Sequence, residues 1–233
     1  NTEFGRPRPG KRFSAILPLL SFSGYQFGFN FINYFSRNLD QILIGKYMGA
    51  ITLGAYEKAY QLMKYPLILL TFAMTPAIQP VIRKYAGDVN KVEEIHRDFT
   101  FKLSLAGIGA GISVFFLSEW IILIVLGNQW VQVIPIIRIL SIAIPVQIVL
   151  STSGSFFQAM NRPDLLFLSG VLSAAVMITA IVMGIYTRDI ELLCWFLVIA
   201  FHINFLQAYF ILYNKVFKRF FGLFIMRMLP IFI

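Results

Sequence analysis

The sequence predicts an all-α polytopic membrane protein, and three observations carry that prediction. Of its 233 residues, 58% are hydrophobic and 13% are charged, with a mean hydropathy of +0.74. Soluble domains carry roughly a quarter charged residues. The apolar residues fall in runs of about 20, the length a helix needs to cross a hydrocarbon core of roughly 30 Å. The lysines and arginines collect between those runs, as topology requires.

The elements follow in order. Residues 1–13 hold Arg6, Arg8, Lys11 and Arg12 and read as a basic cytoplasmic linker. Residues 14–217 are expected to hold six spans. The first runs from Leu17 to about Leu43, with Pro18 suited to a first helical turn. Gly45, Gly49 and Gly54 then punctuate a turn. The second span covers Leu53–Ile82, apolar after Lys64, and the third covers Phe99–Leu117. Ile121–Leu126 is apolar but too short to cross. The fourth, fifth and sixth spans are Val133–Phe157, Leu165–Tyr186 and Leu192–Tyr213.

Between the second and third spans, Val92, Ile95 and Phe99 recur at helical spacing. That stretch is either a short amphipathic helix on the membrane surface or a charged connector leading into the third span. Residues 218–233 read as the start of a further helix. Phe220–Ile233 is 14 residues, about 21 Å of helix, which is short of a crossing. With no methionine at position 1, the chain is expected to be a piece of a longer protein.

Thirteen lysines and arginines fall on one side of this plan and five on the other. The richer side is expected to be cytoplasmic, so both ends of the six-helix unit face the cytoplasm of an inner or plasma membrane. Pro66, Pro76 and Pro80 interrupt the second span, and Pro135 and Pro145 the fourth. Broken helices persist at membrane depth where neighbours or a water-filled cavity satisfy the backbone, which suits a transporter. Gly107 and Gly111 form a GxxxG, and Ser169, Gly170, Ser173 and Ala174 form a small-residue face. Both mark close helix packing. No internal repeat relates the spans.

Several function classes find no support. Cys194 is the single cysteine, so neither an internal disulfide nor a cysteine metal cluster can form. His96 and His202 are far apart, and no nucleotide-binding, hydrolase or metal-ligand spacing occurs. No catalytic residue, metal or cofactor is expected. The net charge of +9 reads as membrane topology, not nucleic-acid binding, because no binding module accompanies it.

The candidate functional residues are the polar groups within spans, where charge is expensive. Arg37 and Asp40 are i and i+3 on the first helix and can pair. Counted from Pro18, Asp40 lies 22 residues on, about 33 Å, at the outer edge. There the two form either an interfacial ion pair or a pair at a cavity mouth, with Arg37 meeting substrate phosphate. Arg138, after Pro135, either binds phosphate or snorkels to headgroups. Asn30 and Asn33 share a face of the first span, Gln147 and Gln158 lie on the fourth, and His202 and Gln207 on the sixth. Each serves either an interhelical hydrogen bond or a cavity contact.

The order of motifs is distinctive. A helix ending NLDQILIGKYMG precedes AITLGAYEKAYQL; TPAIQPVIRKYAGD, LGNQW and FFQAMNRPDLL follow. This order resembles the Wzx-type polysaccharide and O-antigen flippases of the multidrug/oligosaccharidyl-lipid/polysaccharide exporter superfamily, over about residues 14–217. The resemblance implies one six-helix lobe of a two-lobe transporter, here the C-terminal one, whose missing partner is an N-terminal lobe of the same protein. It implies a polyprenyl-diphosphate-linked saccharide as substrate, flipped by alternating access for surface polysaccharide or lipopolysaccharide synthesis. The coupling ion is left open. The drug-exporting branch, with an acidic residue before a similar glycine turn, is one alternative. A membrane glycosyltransferase or polymerase is another, and a structural membrane subunit a third.

Overall fold

The computed structural model describes residues 17–71, 74–85 and 87–232; side chains at 17–19, 21–22, 36–37, 74–77, 79 and 227–232 lie outside the described set. The linker expected at 1–13 lies outside it as well. Among the described residues the chain is helical without strands. The helices are α1 (Leu17–Tyr47), α2 (Ala50–Thr71), α3 (Met74–Lys84), α4 (Val89–Val125), α5 (Val133–Ser141), α6 (Ile144–Ala159), α7 (Pro163–Thr187), α8 (Ile190–Ile211) and α9 (Phe221–Phe232). A π-helical turn, Leu212–Phe217, extends α8.

Among the described residues three helices are long and apolar enough to cross a membrane: α4, α7, and α8 with its π turn. The pair α5 and α6, bent by 57° at its break, qualifies as one broken span. The chain is thus a multi-pass α-helical membrane protein. α1 and α2, at 31 and 22 residues, are long enough but are not among the apolar spans. α1 carries Gln26, Asn30, Asn33, Asn38 and Gln41, and α2 carries Glu57, Lys58, Gln61 and Lys64.

Two expected boundaries shift. The third span begins ten residues earlier than Phe99, because α4 runs unbroken from Val89 through the piece at Ile121–Leu126. Asp88 starts it, its carboxylate accepting from the N–H groups of Asn90 and Lys91, and Lys91–Glu94, Arg97–Glu93 and Lys102–Asp98 pair along its first turns. The connector reading of 89–99 holds, and no separate surface helix forms. The second expected span falls on α2 and α3, and Lys64 lies inside α2.

The break in the fourth span has a local cause. Pro145 has no N–H to offer the carbonyl four residues back, and Ile142 and Ala143 instead donate to Ile139 and Leu140. α4 fits against this break through its glycines. A Cβ at Gly107 would lie 3.0 Å from Pro145 Cα, and one at Gly111 would lie 3.1 Å from the Ser141 oxygen. The turn between α1 and α2 needs Gly49 for its φ of +91°.

Two apolar clusters hold the bundle. One, near the α1–α2 turn, joins Ile44, Met63, Leu103, Ile137, Leu140 and Leu197. The other joins Ile82, Val92, Phe156, Tyr209, Phe217 and Phe224, and so ties α3 and α9 to α4, α6 and α8. Large exposed side chains, such as Phe116, Trp120 and Ile124 on α4 and Trp195 and Phe210 on α8, suit contact with lipid.

Candidate functional site

Asp40 of α1 and a row of side chains on α2 form one connected arrangement. Asp40 is 3% exposed and Tyr56 fully buried. The Tyr56 hydroxyl donates to Asp40 Oδ2 at 2.5 Å, and the Gln41 N–H donates to Oδ1 at 2.8 Å. Tyr56, Tyr60 and Lys64 follow at i, i+4 and i+8, so they share one face of α2. The Tyr56 and Tyr60 rings stack with centroids 5.5 Å apart, and Lys64 Nζ lies 4.6 Å from the Tyr60 centroid. The stripe therefore leads from a buried carboxylate to an exposed ammonium. Beside it, Gln61 donates to the Tyr65 hydroxyl at 3.2 Å, both residues exposed.

Asp40 therefore faces the α1–α2 interface and not bulk solvent. Arg37 lies on α1, but its side chain is outside the described residues. Arg138 is partly exposed and has partners on α4: Nε donates to Ser118 Oγ at 2.8 Å, and Nη2 lies 3.7 Å from Glu119 Oε2.

The amides are dispersed. Asn30 is exposed and accepts from Gln26 at 3.4 Å. Gln26 in turn accepts from Gln158 Nε2 at 3.0 Å, joining α1 to α6. Asn33 is half-buried on α1. Gln147 donates to Met63 Sδ at 3.3 Å. His202 Nδ1 lies 2.8 Å from its own helix's Val198 oxygen. Gln207 Nε2 reaches Ser169 and Ser173 on α7, at 2.7 Å for Ser173 Oγ. The structure thus brings Asp40 to the α2 stripe and sets Arg138, His202 and Gln207 against other partners.

Sequence reasoning missed Tyr56, Tyr60 and Lys64, although their spacing of four was legible. It also passed over His96, which is fully buried. His96 Nδ1 lies 3.1 Å from the Tyr213 hydroxyl, Nε2 lies 3.3 Å from Thr100 Oγ1, and the rings of Phe156, Tyr209, Phe217 and Phe224 surround it. No group of three or more His, Cys, Asp or Glu side chains that could hold a metal occurs among the described residues.

The family model described as polysaccharide biosynthesis protein matches residues 5–135, more than half of the chain. The chain belongs to the polysaccharide biosynthesis protein family. The resemblance to Wzx-type flippases is borne out by its relatives. The chain is 29% identical to the lipopolysaccharide biosynthesis protein WzxC of Escherichia coli (strain K12) over 188 residues, 78% of this chain and 38% of that protein. It is 30% identical to the teichuronic acid biosynthesis protein TuaB of Bacillus subtilis (strain 168) over 154 residues, 65% of this chain and 32% of that protein. The amylovoran biosynthesis protein AmsL of Erwinia amylovora is 25% identical over 162 residues, 68% of this chain and 41% of that protein. The chain of this polysaccharide biosynthesis protein therefore spans about a third of the length of these relatives. No solved structure matches it.

Proposed function

We propose that this chain is one six-helix lobe of a flippase that exports lipid-linked saccharide precursors for cell-surface polysaccharide. The observation that carries the proposal is the contrast between two sets of helices. α4, α7 and α8 are apolar enough for lipid, whereas α1 and α2 are equally long but carry amides, hydroxyls and charge on exposed faces. A polar helix can cross a bilayer only with that face turned to protein or a water-filled cavity. In this reading α1 and α2 cross as the first two of six spans and line a central cavity, against a second lobe elsewhere in the full-length protein. Rocking of the two lobes would alternate access. The relatives' names, all in polysaccharide biosynthesis, supply the cargo class. In this reading the protein breaks no bond.

Two measurements test this reading. Full-length protein in proteoliposomes should translocate a polyprenyl-diphosphate-linked saccharide; no translocation above empty vesicles sinks the proposal. Single cysteines in a Cys194→Ala background should be labelled from the cytoplasm at positions 91 and 218 and from outside at 46 and 188. Labelling of all four from one side would refute six spans.

A further inference from the structure

The two ends of the bundle differ in charge, and one segment concentrates the difference. At one end, the α7–α8 turn sets Arg188 beside Asp189 and Glu191, and residues 126–132 between α4 and α5 hold no charge. At the other end, the stretch from the π turn into α9 carries Lys215, Lys218 and Arg219, all exposed. No acidic residue follows Glu191 in the sequence, so these three have no counter-ion on their own segment. The nearby acids of α4 are engaged: Asp88 accepts from the N–H groups of Asn90 and Lys91, Glu94 pairs with Lys91 and Glu93 with Arg97. Among the described residues neither the Lys215 nor the Lys218 ammonium makes an ion pair or a hydrogen bond. Arg219 is held in place, its backbone N–H donating to the Tyr213 oxygen at 3.0 Å and Nη2 to Asn90 Oδ1 at 2.6 Å. That contact uses one of its N–H groups and leaves the rest of the guanidinium to donate. Apolar surface follows at once. Phe220, Leu223 and Met226, spaced three apart, are each more than half exposed, whereas Phe224 is buried against the rings of Tyr209 and Tyr213.

We propose that the turn between α8 and α9 binds an anionic phospholipid of the surrounding bilayer. Lys215, Lys218 and Arg219 receive its phosphate, and Phe220, Leu223 and Met226 receive an acyl chain. The site needs only a chain that spans a membrane, and it stands apart from the flippase reading. Cations at a membrane surface attract anionic headgroups, and the attraction fades within a Debye length. Here three cations fall within five residues of a turn whose backbone is fixed, because Lys218 sits at a φ of +53° and Arg219 is tied to α4. A phosphate meeting them gains charge-assisted hydrogen bonds without ordering a flexible tail. The apolar side chains beside the turn would otherwise stay uncovered, and a lipid tail covers them at a gain proportional to the area buried. One phospholipid satisfies both demands, since its charge and its chains are joined at the same spacing as headgroup depth and hydrocarbon. A zwitterionic lipid does so less well, because its own ammonium already neutralises the phosphate. The bound lipid would also brace α9, whose start is linked to α4 through Arg219 and Asn90.

The test uses full-length protein in detergent, offered phosphatidylglycerol or phosphatidylcholine with identical chains, and counts the lipids retained by native mass spectrometry. Wild-type protein should retain phosphatidylglycerol in preference. The double variant Lys215→Gln/Lys218→Gln should weaken phosphatidylglycerol binding at least about tenfold, at roughly fivefold for each cation near a membrane surface, and leave phosphatidylcholine unchanged. Both side chains are exposed, so the variant should fold; Lys215→Arg/Lys218→Arg keeps the charge and should keep the preference. Lys46→Gln/Arg188→Gln removes the same charge from the opposite end and should bind as wild type. Leu223→Asn should weaken long-chain phosphatidylglycerol and leave the dihexanoyl lipid unaffected. Equal retention of the two lipids by wild type overturns the proposal, as does a preference that survives Lys215→Gln/Lys218→Gln. Equal loss in the two double charge variants reduces the effect to net charge and overturns it too. Displacement of the lipid by inorganic phosphate would show a free-anion site in place of a lipid site.

Discussion

Removing one oxygen atom tests whether the Asp40–Tyr56 contact organises the α1–α2 pair. Tyr56→Phe keeps the ring, its stack on Tyr60 and nearly all of its volume, and deletes only the hydroxyl that donates to Asp40. Tyr56 is fully buried and Asp40 is 3% exposed, so bulk water cannot step in as donor. A hydrogen bond of this kind contributes about 1–3 kcal/mol, toward the upper end when the acceptor is charged. Asp40 would keep only the Gln41 N–H on its other oxygen. The expected cost of Tyr56→Phe is therefore about 1–3 kcal/mol. The assay is reversible unfolding of the purified protein in mixed micelles of increasing SDS, followed by the fluorescence of Trp120, Trp130 and Trp195. Combining Tyr56→Phe with Asp40→Asn closes a double-mutant cycle. Direct contact predicts a coupling of at least about 1 kcal/mol, whereas unconnected sites add to within roughly 0.3–0.5 kcal/mol. Additivity, or a Tyr56→Phe protein as stable as wild type, would refute the reasoning and dissolve the stripe into separate packing contacts.

Three further outcomes follow from the same unfolding measurement. A Cβ at Gly109 meets nothing within 4 Å while one at Gly111 meets the Ser141 oxygen at 3.1 Å; Gly109→Ala should therefore stabilise by up to about 1 kcal/mol, and Gly111→Ala should be about 1–3 kcal/mol worse than Gly109→Ala. Tyr213→Phe should cost about 0.5–1.5 kcal/mol, and should cost nothing further in a His96→Phe background if the bond at 3.1 Å is the one lost. Asp189→Ala, which removes the carboxylate accepting from the N–H groups of Glu191 and Leu192, should cost about 0.5–2 kcal/mol; Asp164→Ala, which breaks an ion pair about two-fifths exposed on each side, should stay within about 0.5 kcal/mol of wild type.

The apolar helices were legible in the sequence because hydropathy is a one-dimensional property. α7 and α8 lie within two residues of their expected starts, and the GxxxG of α4 packs closely on its neighbour, as its small residues imply. α4 was read short because charge concealed its first turns. Lys91, Glu93, Glu94, Arg97, Asp98 and Lys102 look like a loop in a hydropathy profile, yet they pair along the surface of one helix. The site was half legible. Asp40 was singled out for its charge and set beside Arg37, because i to i+3 arithmetic sees only its own helix. Tyr56 lies 16 positions away across the Gly49 turn. Arg138 shows the same limit, since Ser118 and Glu119 reach it from another helix.

The helices least like membrane spans are the ones that hold the site, and that coincidence follows from solvation. α1 falls short of the apolar test chiefly through amides and hydroxyls, each of which costs several kcal/mol if left without a hydrogen-bonding partner in hydrocarbon. Asn38 donates to the Tyr34 oxygen, Asn30 accepts from Gln26 and Gln61 donates to the Tyr65 hydroxyl, while Asn30, Glu57, Gln61 and Lys64 remain exposed. The lobe meets part of that demand internally, where Asp40 and Tyr56 close on each other and where Gln158 reaches Gln26, and it leaves exposed polar groups on both helices. What satisfies the outward groups must be polar and must be replaceable if the protein is to move cargo. Water and the oxygen-rich headgroup of a lipid-linked saccharide fit both conditions, whereas a lipid tail fits neither. The buried pair then has a mechanical role as well as an energetic one: it holds α2 at a fixed rotation against α1, and so fixes the direction of the face that carries Tyr60 and, two turns beyond Tyr56, Lys64.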